Sequence, residues 1–325
     1  ERYTREVFLV MRQALGESHP QTSVALNNLG AVLTDRGKYV EAESILREAL
    51  AIRLSTFGAE HAETRTAQKN LASALNHQGK FAEAEQLLRE LLQARKFEGG
   101  AQEGFTVSVV RTLGDIFIKQ GRPAEAEPFY REALAAVKGE LRDADQNTLK
   151  LANNMGGVLY QQQKYAEAEP FFREALAGQR RMLRAEHPEI LLSANNLGSA
   201  LLGQGKAAEA EPLLREALAG QKRELPDGHR HTVSSINNLV LLLRGTGELE
   251  EAASLLREML EIQKRTTEGE DLQIAETISR LLAVLREQGK SEGAESLLRE
   301  LLELRREALG DEHPSTLEAI NALGG

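Results

Sequence analysis

None of the 325 positions is cysteine. That removes disulfide frameworks, cysteine-ligated zinc and thiol nucleophiles together, and it fits a reducing, cytoplasmic setting. Tryptophan is also missing, and aromatic residues make up only 4%. No apolar run approaches the roughly 20 residues of a membrane-spanning helix. Leu239–Leu243 is among the longest such runs, so membrane insertion is not expected. The opening "ERYTREVFLV" lacks the layout of a secretory leader and carries no initiator Met. The net charge is −9, so nothing draws the chain toward nucleic acid or acidic membranes. Aromatic–basic interleaving for single strands is missing too. So are the P-loop, the Rossmann glycine fingerprint and the GxSxG elbow, and the chain reads as a non-enzyme without cofactor. "FEGGAQEG", from Phe97 to Gly104, is glycine-rich but lacks the Lys-Ser/Thr of a phosphate loop; it reads as a flexible connection.

Abundant Ala, Leu and Glu favour helix, and strand signals are missing throughout. The dominant feature is a repeat. "RGKYVEAE" begins at Arg36, and its counterparts "QGKFAEAE", "QGRPAEAE", "QQKYAEAE", "QGKAAEAE", "TGELEEAA" and "QGKSEGAE" follow at a constant spacing of 42 residues. Each unit predicts two helices. In the first unit one runs from about Pro20 to Asp35, with Leu26, Leu29, Gly30 and Leu33 on one face. Gly37 then ends it in a turn. A second helix starts near Tyr39 and buries Ala42, Leu46, Ala49 and Leu50. Ala42 and Leu50 recur in all seven units, ending at Ala294 and Leu302. Each buried Leu contributes roughly 1.5–3 kcal/mol. One helix pair cannot cover both its faces, so the units must stack.

The Leu29–Gly30 pair, Leu33, Ala42, Leu46 and Ala49 resemble the tetratricopeptide repeat. The 42-residue form exceeds that family's period of about 34. With "NNLG", "GKYAEAEPFFREAL" and "EHP" it is similar to the kinesin light chain subtype. The resemblance implies an all-α, right-handed superhelical α-solenoid. On this reading residues 1–325 form a single array. Residues 1–18 are a half repeat, and full repeats occupy 19–60, 61–102, 103–144, 145–186, 187–228, 229–270 and 271–312. An eighth begins at 313–325. No polar cap is visible at either end, which predicts flanking repeats or domains, or end-to-end contacts within a larger complex.

Paired asparagines stand inside first helices, at Asn27–Asn28, Asn153–Asn154, Asn195–Asn196 and Asn237–Asn238, with a single Asn at Asn70. Asn costs a helix interior roughly half a kcal/mol relative to Ala. At about 100° per residue, Asn28 lies about 150° from the core stripe, while Asn27 sits on its flank. Asn28, Asn70, Asn154, Asn196 and Asn238 therefore point out of their helix pairs. The resemblance implies that first helices line a concave groove, where such a row bonds the backbone of an extended peptide. A carboxamide suits this, offering both donor and acceptor. The flanking Asn27, Asn153, Asn195 and Asn237 join the candidate set, with Lys119 and Lys150 as specificity positions. Inheritance through duplication, or bonding to a neighbouring helix, is the alternative reading.

His19, His61, His187, His229 and His313 share one repeat phase. Being one repeat or more apart, they do not converge as metal ligands do, and they predict helix-start chemistry instead. Glu43–Arg47 and its equivalents are i,i+4 pairs that predict a solvated second-helix face. The leading expectation is a scaffold binding a protein or peptide partner in the groove. Alternatives are a spacer subunit of a larger assembly, or the sensor region of a signalling protein whose effector domain lies outside this segment.

Overall fold

A computed structural model describes residues 1–95, 103–140, 146–266, 271–290 and 293–324. Most of "FEGGAQEG" falls outside the described residues. Sixteen α-helices and no strands occur among those described. They divide into two compact units, Glu1–Lys164 and Tyr165–Gly325.

In the first unit, α1 (Arg2–Leu15) precedes three helix pairs: α2 (Pro20–Asp35) with α3 (Tyr39–Phe57), α4 (Ala62–His77) with α5 (Phe81–Arg95), and α6 (Glu103–Lys119) with α7 (Pro123–Glu140). α8 (Gln146–Gln161) completes it. Each helix packs on the next, and first helices also meet one another, α2 on α4, α4 on α6 and α6 on α8. The second unit opens with α9 (Tyr165–Met182). It continues through α10 (Pro188–Gly203), α11 (Ala207–Glu224), α12 (Arg230–Thr246), α13 (Leu249–Thr266), α14 (Asp271–Glu287), α15 (Ala294–Leu309) and α16 (Pro314–Gly324). There α10 packs on α12.

Local chemistry sets the helix ends. At the start of α2, α4, α10, α12 and α16, the Nδ1 of His19, His61, His187, His229 and His313 accepts the backbone N–H two residues on, each at 3.2 Å. The phase-locked histidines are thus N-caps, satisfying one of the orphan donors of the first turn. At the other end, Gly37 adopts φ 76° and Lys38 donates its N–H back to Leu33 O at 2.9 Å. The same turn follows α4, α6, α8, α10, α12 and α14. One copy lacks glycine: Gln163 takes φ 59°, a left-handed conformation that its Cβ resists.

Leu26, Leu29 and Leu33 are fully buried, as are Ala42, Leu46 and Ala49. Gly30 is where the two helices close: a Cβ there would come 2.5 Å from the Leu46 side chain, and one on Gly198 would come 2.7 Å from Leu214. Phe8 is buried on α1, whereas Val7, Val10 and Leu15 are exposed.

The second-helix glutamates depart from the solvated face their spacing predicts. Glu43 accepts from Arg47 on its own helix, and also from Gln78 Nε2 at 2.8 Å and Lys80 Nζ at 2.6 Å in the next turn. Glu127 meets Arg131, Gln162 and Lys164, and Glu169 meets Arg173, Gln204 and Lys206, in the same way. Each carboxylate is an inter-repeat clasp. The i,i+4 rule sees only its own helix, so it finds one partner of three.

Candidate peptide-binding face

The consecutive first helices of each unit present their asparagines side by side. Outward projection places Asn28 on the surface, and it is exposed. Asn70, Asn154, Asn196 and Asn238 are half-buried. Asn27 and Asn195 are only 5% and 4% exposed, Asn153 is buried, and Asn237 is half-buried.

A single rule links the two positions of the motif. Asn70 Nδ2 donates to Asn27 Oδ1 at 3.1 Å, from one first helix to the preceding one. Asn238 Nδ2 donates to Asn195 Oδ1 at 3.0 Å, and to Ser199 Oγ at 2.7 Å. Ser235 Oγ adds a third bond, to Asn195 Oδ1 at 3.0 Å. Arg280, which stands where other repeats have Asn, donates to Asn237 Oδ1. The inner residue of one repeat thus accepts from the outer residue of the next. A buried amide oxygen left alone would cost about 1–3 kcal/mol, so these bonds hold the outer side chains in place.

The ladder changes at two steps. Where Asn27 stands in the first repeat, the second and third carry Lys69 and Arg111, which have no acceptor to offer. Asn154 therefore finds another partner, the hydroxyl of Tyr130 from α7. Tyr130 is 2% exposed and occupies the place of Leu46 and Leu88. Burial pushes its phenol far above the ordinary range; Asp115 adds to this, while Arg111 and Asn154 act against it. Its ring passes over Gly114, where a Cβ would come within 2.5 Å. In the sequence the substitution shows only as a Tyr at a position that the other repeats fill with Leu or, once, with Phe172.

Lys119 and Lys150 lie on the same face, exposed and half-buried respectively. Lys119 pairs with Asp115 at 2.9 Å and donates to Asn76 Oδ1 at 3.3 Å, while Asn76 Nδ2 donates to Asp115 at 2.7 Å. Lys69 is half-buried, its ammonium 6.0 Å from the centroid of Phe105. Among the described residues, no group of three His, Cys, Asp or Glu is placed to hold a metal ion. No helix there is long and apolar enough to cross a membrane.

The model of the tetratricopeptide repeat matches residues 1–55, 21–96, 63–139, 147–223, 193–265 and 231–306, and a second model of the same description matches 111–182. The chain belongs to the tetratricopeptide repeat family. Its fold is an all-α repeat solenoid. Among solved structures it is similar to the nearly identical repeats of a kinesin light chain-type protein from Podosopora anserina, at 23% identity and TM-score 0.54, over 64% of this chain and 99% of that one. It is also similar to BtubC (BKLC) from P. vanneervenii, at 23% and 0.59, over 73% and 92%. A Rap protein complexed with Competence and Sporulation Factor matches at 12% and 0.55, over 94% and 97%. At these identities the likeness shows the fold alone. No curated protein matches the chain.

Proposed function

We propose that this chain is a non-catalytic protein-interaction scaffold that binds an extended peptide on its first-helix faces. Tetratricopeptide repeats generally serve as protein–protein interaction scaffolds, and one structural neighbour, a Rap protein, is complexed with Competence and Sporulation Factor. The observation that carries the reading is the division of labour in the asparagine motif. Inner residues Asn27 and Asn195 are buried and accept from the next repeat. Outer residues Asn70 and Asn238 are held by the bonds they donate, and Asn154 by the Tyr130 hydroxyl, while Asn28 is exposed. A fixed carboxamide loses little rotamer freedom on binding, which favours it as a peptide-backbone partner. On this reading Asn28, Asn70, Asn154, Asn196 and Asn238 contact the peptide, while Asn27, Asn153, Asn195 and Asn237 position them.

A second reading, an array built only to span distance, draws on the same bonds: both amide hydrogens of Asn238 are already engaged. A random dodecapeptide display screen against the chain separates the two. The scaffold reading predicts peptides that compete with one another for one face and lose affinity when outer asparagines become Ala. Recovery of none would leave only the spacer.

A further inference from the structure

The clasp that ties a second-helix carboxylate to the following turn loses its acid at one step and keeps its donors. Glu43, Glu85, Glu127 and Glu169 share a repeat phase that holds Ala253 in the sixth repeat. Around Glu169 the intact arrangement is explicit. Arg173 Nε donates to Oε1 at 2.7 Å, while Gln204 Nε2 and Lys206 Nζ share Oε2 at 2.9 and 2.8 Å. Arg257, Gln288 and Lys290 stand at the same three repeat positions relative to Ala253. There α13 packs on α14, as α9 packs on α10.

Each of the three donors shows the loss. Gln78, Gln162 and Gln204 all donate to a clasp carboxylate. Neither amide atom of Gln288 has a hydrogen-bond partner, and both are buried, a state that costs stability. Arg257 lacks a second acid as well. Arg47 and Arg173 reach Glu83 and Glu209 on the next second helix at 2.7 and 3.0 Å, but the corresponding place after Arg257 is Gly293. Among the described residues Arg257 makes no ion pair. Lys290 turns instead to Glu250, and both side chains of that pair are exposed. Such a surface pair contributes little and is readily exchanged for another.

We infer that Arg257, Gln288 and Lys290 form a carboxylate-binding site between α13 and the turn after α14, which takes a glutamate or aspartate side chain of a partner protein in place of the acid missing at 253. The chemistry follows from the intact clasps, where the same three kinds of donor hold one two-oxygen monoanion. Arg257 and Lys290 are exposed, so a carboxylate can approach from solvent. The Gln288 amide is buried, and turning it toward a ligand breaks no hydrogen bond, since it makes none. A free carboxylate of a few atoms gains little affinity on its own, so one carried on a larger surface is the fitting occupant. The site belongs to a second helix and a turn, not to the asparagine row, and it stands whether or not that row binds peptide.

Formate is the probe for the group, and random dodecapeptide display the probe for its source. Sodium formate should raise the parent's melting temperature by about 1–2 °C beyond sodium chloride at equal ionic strength. Arg257→Gln/Lys290→Gln, at exposed positions, should lose that difference. Ala253→Glu, where it folds, should melt higher than the parent and ignore formate, having a carboxylate of its own. Glu169→Ala, which opens a second such position, should melt lower and respond to formate more strongly. Some peptides selected on the parent should bind Arg257→Gln/Lys290→Gln at least tenfold more weakly. Those peptides should carry an Asp or Glu whose change to Asn has the same effect. An equal formate response in the parent and in Arg257→Gln/Lys290→Gln would overturn the site. A formate response without any such peptide would overturn the assignment to a protein side chain. Phosphate binding more than tenfold tighter than formate would contradict the choice of carboxylate. A response that emerges only after Glu292→Gln would mean that the chain's own acid takes the position, and would overturn the proposal as well.

Discussion

A single side chain can be judged by what its neighbours in other repeats do. Gln163 stands where Gly37, Gly79, Gly121, Gly205, Gly247 and Gly289 stand, and it adopts their left-handed backbone. Gln163→Gly should therefore raise stability by about 0.5–1 kcal/mol, read as a higher melting temperature. The clasp glutamates respond to acid. Burial raises the Glu127 carboxyl, but bonds from Lys164, Arg131 and Gln162 outweigh it and bring it from 4.5 to about 2. Glu43 and Glu169 are likewise lowered to about 2. A depressed folded value means stability fully present above about 4.5 and lost as pH falls toward 2. Denaturant titrations should show Glu127→Gln roughly 1–3 kcal/mol less stable at pH 7. The deficit should narrow by pH 3, because the unfolded parent, with its carboxyl near 4.5, takes up a proton there that the folded clasp excludes; a constant deficit would count against it.

Helices are delimited by two devices, and only one was fully legible. The glycine turns follow from "RGK" and its copies, because φ near 75° excludes most side chains. The histidines were legible as helix-start residues from their phase, but the acceptor role of Nδ1 needed coordinates. His61→Ala should destabilise the array by about 1 kcal/mol, whereas His61→Asn should keep most of that, since Asn also caps; paired thermal melts check both. The hydrophobic stripe was readable because 3.6-residue periodicity alone dictates which side chains of α2 face α3. The angular argument placed Asn28 outward for the same reason. It left Asn27 undecided, because that residue's partner, Asn70, lies in another repeat. Glu43 with Lys80, and Asn154 with Tyr130, escaped for the same cause: stacking between repeats sets those distances, and one helix's period does not encode it.

The molecule as a whole is a tetratricopeptide-repeat solenoid whose repeated motif combines two structural tasks: Leu26, Leu29 and Gly30 close a helix pair, and Asn27 ties one repeat to the next. The proposed function adds a third, the outer asparagine as a contact for a partner. The central claim is that the outer row binds peptide and is not merely mortar between repeats. Its most direct test is the affinity, by fluorescence anisotropy, of a display-selected peptide for Asn28→Ala, at the exposed position of the row, against the parent. The account predicts at least a tenfold loss of affinity with a melting temperature within about 2 °C of the parent. Unchanged affinity, with or without a fall in melting temperature, would contradict it.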